Sequence, residues 1–64
     1  MIPSSFEQMF ESSRSDKKGL TLYVQGQTVA GVVTAFSDEV VEMRSQQYDR
    51  IVVRIDRIDA VARQ

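Results

Sequence analysis

The chain contains no cysteine and no histidine. The first absence excludes disulfides, and the two together exclude the usual zinc sites, so no such cross-link supports the fold. They also remove the cysteine nucleophile and the commonest general base, and neither a plausible nucleophile–base arrangement nor a phosphate-cradling glycine-rich loop is present. Catalysis is the least favoured class of function, and no cofactor is implied. An excess of positive charge is missing too. Eight Lys and Arg face nine Asp and Glu, for a net charge of −1, and the pI is near 5.2. A nucleic-acid module recognised by bulk charge has a pI above about 9, so any basic surface here must be local. No apolar run approaches the roughly 20 residues of a membrane-spanning helix, and no signal-type segment opens the sequence. The expectation is a cytoplasmic protein with no membrane partner.

What is present is a single domain of 64 residues. A chain this short buries only about 60% of the surface its unfolded form exposes. Below roughly 70–80 residues one core seldom supplies more than about 3–5 kcal/mol. With disulfides and the usual zinc sites excluded, self-association remains as a source of further burial.

Hydrophobic patterning gives an α+β order. Ser4 can cap a short helix, with Glu7 three residues later as the capping-box partner. Phe6, Met9 and Phe10 form a narrow apolar stripe at i, i+3 and i+4. The helix is expected over about 4–13, packed across an open end of a barrel. The polar run Ser12–Gly19 breaks the stripe and places a linker over 14–19. The barrel then occupies 20–63. Leu20, Leu22 and Val24 alternate with Thr21 and Tyr23 as a first strand. Gln25-Gly26-Gln27 turns the chain into a longer strand, Thr28–Phe36, with a bend at Gly31. Val40–Ser45, Arg50–Ile55 and Ile58–Ala62 read as three further strands, separated by turns at 37–39, 46–49 and 56–57. One short helix followed by five short antiparallel strands makes a strongly bent, partly open small barrel.

These residues resemble the Sm-like family, which includes Sm, LSm and Hfq proteins. Its first motif is matched by Gly26, Val29, Gly31, Ala35 and Phe36, and its second by Val53-Arg54-Ile55-Asp56-Arg57-Ile58-Asp59-Ala60-Val61, with Ile55 in place of a glycine. The resemblance covers Leu20–Arg63 and accommodates the leading helix. It implies closed rings of roughly five to eight subunits, in which the fourth strand of one barrel pairs with the fifth strand of the next. An unpaired final strand is an edge that favours such pairing independently of family.

The resemblance also implies a single-stranded RNA ligand, held by a stacking residue, an asparagine and the second-motif arginine. Two registers of the third strand are open. Without a gap, Glu39 and Val41 replace the stacking residue and the asparagine, and Glu42 and Arg44 turn inward. With one extra residue in the turn, Asp38 is the first-motif aspartate, Val40 and Glu42 stand at the two ligand positions, and Val41 and Met43 face the core. The second is preferred, because a one-residue slip inverts every side chain.

The candidate RNA-binding residues are Arg54, Asp38, Arg44, Arg14, Lys17 and Lys18. For Arg54 the competing role is an ion pair with Asp56, and for Arg14, Lys17 and Lys18 a solvated linker. Tyr23 and Tyr48 are further stacking candidates, against the plain role of exposed β formers. Asp38, Glu39 and Glu42 form an acidic group without metal-ligand spacing, better read as a solvated surface than as a cation site. Two functions follow: a ring that binds single-stranded RNA in a chaperone or processing role, and a ring that serves as a protein-interaction scaffold without RNA.

Overall fold

The computed structural model describes residues 2–63. Helix α1 spans Ser4–Asp16. It starts at Pro3, whose carbonyl accepts from the Glu7 N–H at 3.0 Å. Pro3 rather than Ser4 occupies the cap, and no side chain caps the helix, so the expected capping box does not form. A proline has no N–H to leave orphaned, and its fixed φ suits this position.

The helix also runs three residues beyond the expected end, taking Arg14 out of the linker. Its last turn is held by polar contacts that apolar periodicity does not report. The Arg14 guanidinium donates to both Glu11 carboxylate oxygens at 2.7 Å, and Ser15 Oγ lies 3.3 Å from the same carboxylate. Ser13 is buried, donates its hydroxyl to the Lys18 carbonyl and accepts from the Val33 N–H at 3.1 Å. Lys17 ends the helix in the left-handed region, with φ 57°.

Five strands follow: β1 Leu20–Val24, β2 Gln27–Phe36, β3 Val40–Arg44, β4 Ile51–Arg54 and β5 Ile58–Arg63. They form one antiparallel sheet in the order β4-β3-β2-β1-β5. The sheet is not closed, because β4 and β5 are its two ends. A 3-10 turn over Ile55–Arg57 carries the chain from one end to the other.

Strand β2 belongs to both halves of the sheet. Gln27–Gly31 pairs with β1, and pairing with β3 begins at Val32 opposite Arg44. Gly31 sits at this change of partner. A register shift follows between Val33 and Ala35, which adds local bend and twist. The β1–β2 connection uses two residues of positive φ, Gln25 at 50° and Gly26 at 86°, as a tight hairpin requires.

The core lies between the bent sheet and the helix. Leu20, Leu22, Val33, Val41, Met43, Val53, Ile55 and Ile58 supply the sheet side, and Ile2 and Phe10 the helical side. Phe10 packs on Phe36 with ring centroids 5.6 Å apart, while Phe6 and Met9 flank it at the edge of the core. Val41 and Met43 are fully buried, so β3 turns these two residues inward, and Glu42 and Arg44 lie on its other face. Ile55 is buried in the same core.

Candidate nucleic-acid interface

Five of the six candidate residues fall into two groups at opposite ends of β3, and Lys18 joins neither. Four residue steps separate Val40 from Arg44, about 13 Å at the usual rise of ~3.3 Å.

At the Val40 end, Arg54 closes β4 and Asp38 lies in the β2–β3 turn. Arg54 donates to Asp56 at 3.0 Å, both side chains being well exposed. The neighbouring backbone belongs to this cluster, since the Ile55 N–H donates to the Glu39 carbonyl at 2.9 Å. Arg54 is paired with the Asp56 carboxylate, and the β2–β3 turn beside it carries Asp38 and Glu39, so this end gathers acidic residues, which disfavour phosphate. Among the described residues no three acidic side chains converge into a group that could hold a metal ion.

The Arg44 end has the opposite character. Because β3 pairs with β2 only from Val32 onward, the β3–β4 tip and the first half of β2 enclose an open groove. Its walls bring together Arg14 from the last helical turn, Lys17 from the left-handed cap, Arg44 from the end of β3 and Arg50 before β4. No Asp or Glu lines it. The groove therefore gathers four of the eight cationic side chains of a chain with net charge −1.

Two of these cations carry ion pairs from outside the groove. Arg14 pairs with Glu11 at 2.7 Å, and its guanidinium lies 5.9 Å from the Phe36 ring centroid. Arg50 pairs with Glu42 at 3.0 Å. Both pairs are substantially exposed, a setting in which such contacts are worth about 0–1 kcal/mol and are readily exchanged for an anion. Lys17 and Arg44 have no ion pair among the described residues.

The structure thus brings Arg14, Lys17 and Arg44 together and separates them from Arg54 and Asp38. Lys18 lies in the short connection after the helix and is exposed, but it does not line the groove. Tyr23, half-exposed on β1, does not line it either.

Sequence reasoning missed Arg50. The available signal was hairpin symmetry: Met43 pairs with Ile51, so Arg44 and Arg50 flank the same tip. It also missed Ser13, which ties the helix end, the linker and β2 to one hydroxyl. A serine inside a polar run carries no sequence sign of burial.

Across the whole molecule, no family model matches the chain and no curated protein matches it at a significant level, so the Sm-like resemblance rests on the residues quoted above. Among the described residues no helix is long and apolar enough to cross a membrane.

Proposed function

We propose that this protein is a divergent Sm-like subunit that assembles into a homo-oligomeric ring and binds single-stranded RNA through its basic groove. The observation that carries the reading is the groove itself: four cations and no acid in its lining, in an acidic chain, with only Arg14 and Arg50 paired to glutamates outside it. A strand of phosphates is the ligand that matches such charge segregation, because binding releases condensed counterions. The role is non-catalytic, an RNA chaperone or processing factor of the cytoplasm, in keeping with the lack of Cys and His.

Assembly draws support from the open sheet. Strands β4 and β5 each have one partner among the described residues, and unpaired edges are templates for a further strand. Head-to-tail pairing of β4 with β5 of the next copy uses both edges and closes into a ring.

RNA is assigned to the groove rather than to the family's pocket for three reasons. Ile55 occupies core instead of leaving space beside Arg54. Arg54 sits beside Asp56, with Asp38 and Glu39 in the adjoining turn, so exchanging its exposed ion pair still leaves acidic surroundings. Glu42, at the asparagine position, accepts from Arg50. Those same three facts favour the second reading, a ring that serves as a protein-interaction scaffold.

The deciding experiment is native mass spectrometry of nuclease-treated protein with a short uridine-rich RNA. A closed oligomer that gains RNA mass upholds the proposal. A closed oligomer that gains none replaces it with the scaffold reading.

A further inference from the structure

We infer that Tyr48 is a base-stacking platform, so that the groove selects unpaired, base-bearing strands rather than polyanions in general; this rests on the RNA-binding reading above. Tyr48 lines the groove together with Arg44 and Arg50. It is 60% exposed, more than Tyr23 at 43% or Val52 at 50%. Neither ordinary account of an aromatic residue applies to it. Its ring is not part of the core, and it sits in the β3–β4 tip outside every strand, where β propensity has no bearing.

The backbone of that residue is nevertheless held firmly. The Ser45 N–H donates to the Tyr48 carbonyl at 2.9 Å, and the Tyr48 N–H donates to Ser45 Oγ at 3.2 Å. These bonds fix the point of attachment of the ring while leaving its surface open. A tyrosine has only two χ angles to order, so a platform held in this way loses little freedom when a base settles on it. Cations that track a phosphate backbone beside an aromatic surface are the two components of single-strand recognition. A paired base has no free face to offer, so the ring adds nothing for a duplex. Gln46 and Gln47, on the same wall, carry amide groups that both donate and accept at base edges.

The test is an equilibrium titration of the full chain with fluorescein-labelled oligouridine, and with an abasic oligomer of equal length and charge, at one salt concentration. Wild type is expected to prefer oligouridine. Tyr48→Ala is expected to weaken oligouridine binding about 5- to 150-fold, the range measured for one stacked base, and to leave the abasic affinity unchanged. Tyr48→Phe should retain the preference, and Tyr23→Ala should behave as wild type. If Tyr48→Ala changes neither affinity, or lowers both equally, the stacking role is overturned. The RNA-binding groove then survives provided Arg44→Glu still weakens both ligands. If wild type binds neither oligomer, the groove reading falls and the stacking role falls with it.

Discussion

The Cβ that Gly31 lacks would lie 2.6 Å from the Arg44 carbonyl oxygen. This approach occurs where β2 leaves β1 and takes up β3, so one missing carbon sets the bend and also places Arg44 at the mouth of the groove. The obstructing atom is backbone, so no rotamer change relieves the contact.

Gly31→Ala is therefore expected to destabilise the fold by about 1–3 kcal/mol, the usual cost of overpacking, and Gly31→Val by more. Urea denaturation followed by circular dichroism measures both. Wild-type midpoints in the two variants would show that the strand can part at this corner without cost.

Ser13 stands alone as the buried polar side chain of the described residues, and its hydroxyl serves two backbone groups at once. Ser13→Ala leaves the Val33 N–H and the Lys18 carbonyl without that partner. The expected loss is about 1–3 kcal/mol, the penalty for orphaned buried groups. Amide hydrogen exchange should show reduced protection at Val33 specifically, which a general loss of stability would not single out.

Lys17 separates stability from binding. It holds φ 57° without being glycine, a conformation that costs an L-residue about 1–2 kcal/mol. In Lys17→Gly the relieved strain offsets the greater backbone entropy of glycine, so stability should stay level or rise slightly. RNA affinity should fall in the same variant, because the groove loses a cation.

Salt dependence counts the contacts. A single strand engaging Arg14, Lys17, Arg44 and Arg50 should show a slope of log K against log salt near −3, from about −0.7 per neutralised phosphate. Arg44→Ala should make the slope shallower by about 0.7, whereas Arg54→Ala should leave it unchanged. An equal effect of Arg54→Ala would move the RNA to the other end of β3.

The proposed assembly through open edges couples folding to concentration. Thermal midpoints should rise as protein concentration increases, since association stabilises only the folded subunit. A concentration-independent midpoint together with a monomeric mass would remove the ring.

Much of the fold is legible in the residues. Leu20 and Leu22, and Val41 and Met43, face the core at the alternation their spacing dictates, because a strand has only two faces and burial chooses between them. Ile55, expected as the end of the fourth strand, is buried from the 3-10 turn instead. Gly26 and Gly31 mark the hairpin and the bend for steric reasons that require no tertiary context. The helix was legible at its apolar start, through Phe10. Its polar last turn was not, because Ser13 and Arg14 are held by partners distant in sequence or by charge rather than by an apolar stripe.

The candidate interface divides in the same way. Composition alone determined that any basic surface had to be local, and the sequence named Arg14, Lys17 and Lys18 as one cluster after the helix and Arg44 separately. Only the tertiary structure decided that they share a groove with Arg50 and Tyr48, while Arg54 stands among carboxylates. The reason is geometric. Periodicity encodes which face of an element a side chain occupies, but not which elements meet. Here that meeting depends on the bend at Gly31, the left-handed turn at Lys17 and the point where β3 stops pairing with β2.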